Sequence, residues 1–164
     1  MLTLSNTVFD VRGSILLQVA PRPIYSSFER RFLAEAVRGI QVNARFGRFH
    51  LLHATDNSTT MIEDTPVCGY VLHYADGQER EIEVRFGRDV RGWWQFQEDA
   101  KPQTDRGMVV WRGANPSATR QAATLRLYKT TFDNPRPDVE VQSIDFVSRL
   151  AKCNPFLIAL TLEP

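Results

Sequence analysis

At 164 residues the chain reads as one domain, long enough to bury a core without disulfide or metal staples. Hydrophobic residues at 43% and charged residues at 24% are ordinary for a soluble globular protein, and no apolar run approaches the length of a membrane span. A formal net charge of +1 excludes a bulk electrostatic attraction to nucleic acid or to an acidic membrane. The bases are nearly all arginine, with lysine only at Lys101, Lys129 and Lys152, and acids such as Glu79, Glu81 and Glu83 lie among them. This pattern is a mixed solvated surface, and no nucleic-acid partner is expected.

The opening stretch MLTLSNTVFDVRGS has no basic region followed by an apolar run, so no signal peptide is expected in it. The chain reads either as cytoplasmic or as a domain of a longer chain, extracytoplasmic if that chain is secreted. From Thr7 to Val19, two short apolar pieces around Arg12-Gly13 predict a strand, a bend and a strand. Pro21-Arg22-Pro23 then ends regular structure. Ser26 to Arg38, SSFERRFLAEAVR, places Phe28, Phe32 and Ala36 on one side, a spacing that suits one short amphipathic helix opening at a serine cap; an irregular loop is the alternative.

From Ile40 onward the pattern is β. Ile40 to Val42 and Arg45 to Thr55 predict strands, the second apolar on both faces near Leu51 and Leu52 and therefore central in a sheet. Asp56 to Thr65 is polar turn chemistry. Tyr70 to Ala75 and Glu79 to Phe86 predict a hairpin closed by Asp76-Gly77 in a two-residue type I′ turn, with both central residues at positive φ. Ile82, Val84 and Phe86 alternate with Glu81, Glu83 and Arg85, so one face meets a core. Gly92 to Gly107 is rich in polar and breaker residues; Met108 to Arg112 is a strand and Asn115 to Gln121 a loop. Ala123 to Phe132, Val139 to Val147 and Pro155 to Leu162 are the last strands.

Eight to ten strands at regular spacing, with no internal repeat and no βαβ series, predict an all-β antiparallel jelly-roll sandwich with at most one short helix near residues 26–38. The expected core comprises Phe49, Leu51, Val71, Ile82, Val84, Leu125, Leu127, Ile144, Phe146 and Leu157.

Few residues carry legible chemistry. His50 and His53 are three apart, which on a strand sends them to opposite faces and away from a shared metal. His73 reads as a sheet residue bonded to a neighbour. No nucleophile elbow, cysteine-protease signature or glycine-rich phosphate loop is present, so no catalytic residue is assigned and a non-enzyme is expected. Cys68 and Cys153 read as buried free thiols, or as a disulfide in an oxidising compartment. The acidic loop with Asp56, Asn57, Glu63 and Asp64 offers oxygen ligands of the kind calcium takes, without EF-hand spacing. A solvated turn is the preferred reading there, and no other metal or cofactor is expected. Trp93 and Trp94 weigh more. An indole face can stack on the C–H face of a sugar ring while neighbouring polar groups bond its hydroxyls. In a strand-like pair one ring turns inward and the other outward.

Gly69-Tyr70-Val71-Leu72-His73-Tyr74-Ala75-Asp76-Gly77, Ile82 to Phe86, Ser143-Ile144-Asp145-Phe146-Val147-Ser148 and Pro155 to Ala159 together resemble segments of the galactose-binding-domain-like β-sandwiches. That class includes discoidin-type and NPCBM-type carbohydrate-binding modules of bacterial multidomain proteins, and the likeness runs from about Phe9 to Leu162. The resemblance implies a non-catalytic jelly roll that binds a glycan through loops at one end. The ligand-binding residues expected are Trp93 or Trp94 as stacking platform, with Arg88, Asp89, Arg91 and Arg112 as hydroxyl partners. The alternative is an interaction or structural module whose exposed aromatics and arginines meet a neighbouring protein domain, since interfaces favour the same residues.

Overall fold

The structure, a computed structural model, describes residues 1–18, 33–56, 58, 60–96 and 104–164. In chain order the elements are β1 (Leu2–Leu4), β2 (Thr7–Phe9), β3 (Ile15–Leu16), β4 (Ala36–Ala44), β5 (Arg48–Asp56), β6 (Pro66–Tyr74), β7 (Glu79–Arg85), β8 (Trp94–Phe96), β9 (Met108–Gly113), α1 (Pro116–Arg120), β10 (Ala123–Asp133), β11 (Val141–Ser148) and β12 (Asn154–Glu163). All pairings between these strands are antiparallel. One sheet runs β3-β12-β5-β10 and the other β4-β11-β6-β7. The chain changes sheet at β4, β5, β6, β8 and again at β11 and β12, which is jelly-roll topology in an all-β sandwich. The segment holding β8, β9 and α1 is an elaboration of the connection between β7 and β10.

Alternation in each strand builds the core. From the large sheet Phe49, Leu51, Tyr128 and Phe132 face inward; from the small sheet Tyr70, Leu72, Tyr74, Val84, Ile144 and Phe146 meet them, all buried. Phe49 stacks on Phe132 at 5.6 Å and reaches across the sandwich edge-on to Tyr70 at 6.3 Å, which in turn stacks on Phe146 at 4.9 Å. β5 lies between β12 and β10, the central position its two apolar faces require. Its outer face is covered by the β1–β2 hairpin, where Phe9 is fully buried against Leu52 and Ala159. Lys129 Nζ ties the hairpin down by donating to the Ser5 carbonyl and Thr7 Oγ1, both at 2.9 Å. Cys68 and Cys153 are buried free thiols, and burial pushes the Cys153 thiol up to about 12.

Several local expectations are corrected. Twelve strands stand among the described residues, because β1 and β8 carry too few residues for a periodicity to register. The Asp76-Gly77 turn is not type I′: Gly77 has φ +80° but Asp76 is absent from the positive-φ positions. The Gly77 amide donates to the Tyr74 carbonyl at 2.9 Å and the Tyr74 amide to the Gln78 carbonyl at 2.9 Å, so the loop holds three residues and ends in a left-handed glycine. Of the helix expected over 26–38, residues 26–32 lie outside the described residues and Ala36 to Arg38 belong to β4. The helix present is α1, inside the stretch read as a loop: Asn115 caps it by accepting the Ala118 amide at 2.8 Å, and proline occupies the first turn. Val71 is half-buried on the outer face of β6, since Tyr70, Leu72 and Tyr74 take the inner one. Ile82 and Leu127 pack on the core half-buried, and the other seven expected core residues are buried.

Candidate functional site

The loop after Phe86 is wedged into the end of the sandwich. Gly87, at φ +81°, opens a turn in which the Gly87 amide donates to the Val90 carbonyl at 2.9 Å. Asp89 is 0% exposed: one carboxylate oxygen accepts the Arg85 amide at 2.7 Å and the other Arg106 Nε at 2.6 Å. Its backbone carbonyl accepts the Thr130 hydroxyl at 2.7 Å, and His53 Nε2 lies 2.9 Å from that same hydroxyl oxygen. Because the threonine proton is committed to Asp89, the oxygen must accept from His53, so Nε2 carries the imidazole hydrogen. Burial lowers His53 to about 3.

Arg91 is buried too, donating to both oxygens of Glu63 at 2.7 and 2.9 Å and lying over the Phe86 ring. Asp89 and Arg91 are therefore fastenings of the loop, not groups turned to a ligand. Arg88 is exposed, and its carbonyl accepts the Arg106 amide at 2.8 Å. The carboxylates weighed as calcium ligands are each engaged inside the protein: Asp56 accepts Trp93 Nε1 at 2.9 Å, Glu63 holds Arg91, and Asp64 faces Arg85 at 3.3 Å. Asn57 lies outside the described residues.

The two tryptophans part as a strand requires. Trp93 packs against the core and meets Phe156 edge-on at 5.8 Å; Trp94 begins β8 and turns to the other face. The register fixes that face. Trp94 is level with Leu125 and Phe96 with Ala123, while on the far side of β10 Gly113 is level with Leu125 and Trp111 with Leu127. Side chains directly opposite each other share a face. Tyr128, Thr130 and Phe132 point inward, so Leu125, Leu127 and their partners Trp94 and Trp111 point outward, and Phe96 with them.

Gly113 lets this surface form. A Cβ there would collide with Cη2 and Cζ2 of Trp111, so the indole lies across the glycine and level with Leu125. Phe96 and Trp94 lie with planes 13° apart and centroids 6.2 Å apart. Phe96 is 41% exposed, and both indoles are half-buried. The result is an aromatic shelf on the outer face of the large sheet, lying over Ala123 and Leu125, which are themselves buried. Arg112 and Gln95 bond to each other from the opposite face, which places Arg112 beside this shelf's strands but behind it. Of the six expected ligand-binding residues, Trp94 alone contributes to the shelf; Trp111 and Phe96, which the sequence reading passed over, complete it.

Two polar clusters also lie on outer faces. On the small sheet Asp145, 5% exposed, accepts the Gly39 amide at 2.8 Å and Arg38 Nη1 at 2.9 Å, with His73 Nε2 at 3.2 Å. Burial pushes its carboxyl up, but Gly39, His73 and Arg38 together outweigh burial and hold it below the usual range. His73 Nδ1 faces Glu79 at 2.9 Å, so both imidazole nitrogens meet carboxylates and neither is placed to take a proton from a nucleophile. On the large sheet a cleft of about 490 Å³ beside the hairpin contains Arg48, His50, Lys129 and Glu163. His50 bridges Thr131 and Glu163, at 2.8 Å to each, and with Arg48 holds the Glu163 carboxyl low. Among the described residues no group of three or more His, Cys, Asp or Glu is placed to hold a metal, and no helix is long and apolar enough to cross a membrane.

Compared with known proteins, the chain matches no family model, no curated protein and no solved structure.

Proposed function

We propose that the protein is a non-catalytic glycan-binding module and that the shelf of Trp94, Phe96 and Trp111 is its binding surface. One observation carries this reading: three large rings share one outward face of a rigid sheet, where apolar side chains ordinarily do not collect. A pyranose ring presents axial C–H groups on its faces, and an aromatic plane offers it a large contact area at little conformational cost. The site differs from loops at the end of a jelly roll, because Asp89 and Arg91 of the loop after Phe86 are engaged in internal bonds.

Affinity electrophoresis through immobilised polysaccharides tests the reading, comparing the parent with Trp94→Ala and Phe96→Ala. These rings lie outside the main core, so folding is expected to persist and retardation on the bound polysaccharide to fall at least tenfold. If the parent is retarded by no polysaccharide, or the variants bind as it does, the glycan reading fails. The shelf then belongs to the alternative, contact with a neighbouring protein domain.

A further inference from the structure

Resting on that reading, we infer that the ligand is an extended chain of equatorially linked pyranoses, bound across at least two consecutive sugars, and not a single terminal sugar. The geometry of the shelf separates these cases. Phe96 and Trp94 stand on β8 and Trp111 on β9, with β10 between them. Two strand spacings amount to about 10 Å, more than one pyranose ring covers, so no single sugar engages both sides.

The floor between the rings sharpens the argument. Ala123 and Leu125, both buried, and the half-buried Gly113 carry no polar side-chain atom, and the nearest polar pair in the register, Gln95 and Arg112, bond to each other on the opposite face. A terminal sugar is distinguished from its epimers by hydrogen bonds to its hydroxyls, because stacking alone is tolerant of hydroxyl pattern. Among the described residues this surface offers area in place of such readout, and area accumulates with ligand length. A chain whose linkages are all equatorial is flat and presents the same C–H faces along its length. An α-1,4 chain coils and lifts alternate rings off a planar surface.

Glucose and the cello-oligosaccharide series from two to six units, with the malto-oligosaccharides of the same lengths, are titrated by calorimetry into the full chain. Glucose is expected to give no heat of binding, the cello series to tighten at least tenfold between the disaccharide and the tetrasaccharide, and the malto series to show no such gain. Trp111→Ala removes the ring on the far side of β10 and is expected to abolish the gain with length. Gly113→Ala, which displaces the same indole without deleting it, is expected to do likewise, with circular dichroism confirming the fold of both. Glucose binding as tightly as the tetrasaccharide, equal binding of the two series, or a gain that survives both variants overturns the inference while the glycan reading stands. If neither series binds but another polysaccharide retards the protein, the equatorial-chain inference is again the part that fails. Absence of binding to every polysaccharide overturns the reading beneath it.

Discussion

Acid should destabilise this protein well before its carboxylates titrate, through His53. The imidazole is 2% exposed and held neutral, its Nε2 hydrogen given to Thr130, and burial lowers its pKa from 6.5 to about 3. A group whose charged form is favoured in the unfolded chain contributes its full stability above the unfolded pKa, and that contribution declines as pH falls from 6.5 toward the folded value. At pH 4.5 the unfolded imidazole is almost wholly protonated and the folded one almost wholly neutral, a difference of about 2.5–3 kcal/mol. The carboxylates work lower. Asp145, Asp76 and Asp10 are depressed in the folded state, so their contribution is lost as pH falls through their folded values, below this window. Urea denaturation at pH 7 and pH 4.5 measures the effect, with His53→Gln as the comparison because its amide can donate but does not ionise. The other two histidines are common to both proteins, so the comparison isolates His53. The parent is expected to lose about 2.5–3 kcal/mol more than the variant over this interval. Equal losses would refute the argument that His53 is held neutral.

Two further perturbations test the frame that carries the shelf. Leu72→Ala should cost roughly 2–5 kcal/mol and Val71→Ala under about 1 kcal/mol, because Leu72 is fully buried and Val71 faces outward; similar shifts in the denaturation midpoint would mean the register of β6 is wrong. Gly77→Val should cost on the order of 1–2 kcal/mol, since φ is +80° while the space around a Cβ is open, so the cost is conformational alone; an unchanged thermal midpoint would count against a left-handed glycine.

The layered sandwich was legible because its signals are periodic and long. β5 is apolar on both faces and is central; Ile82 and Val84 alternate with glutamates and line one side of an edge strand. Short-range chemistry was less readable. Asp-Gly marks a turn, yet its length depends on whether the residue before it joins the strand. Ala75 does not: its amide donates to the Glu140 carbonyl at 2.9 Å, a contact from a neighbouring connection that no local pattern encodes. Asn115-Pro116 had the composition of a loop and also the cap-then-proline order of a helix start, and only the second reading accounts for both residues.

Two polar residues of the expected site, Asp89 and Arg91, are buried and engaged within the protein, for a reason that applies to any arginine-rich loop. Residue type says that Arg88, Asp89 and Arg91 can bond hydroxyls; it does not say whether they have already bonded one another's neighbours. Here Asp89 is spent on Arg85 and Arg106, and Arg91 on Glu63, because a loop inserted into the end of a sandwich must satisfy its own backbone and charges. The aromatic half had a usable signal that adjacency obscured. Trp93-Trp94 is conspicuous as a pair, but strand alternation sends the two rings to different faces. Trp111-Arg112-Gly113 is the more telling order: in an alternating strand a glycine two residues from a tryptophan leaves, on the tryptophan's own face, a gap of the size an indole fills. That spacing lays the indole across the glycine, at the half-buried surface where a stacking ligand would meet it.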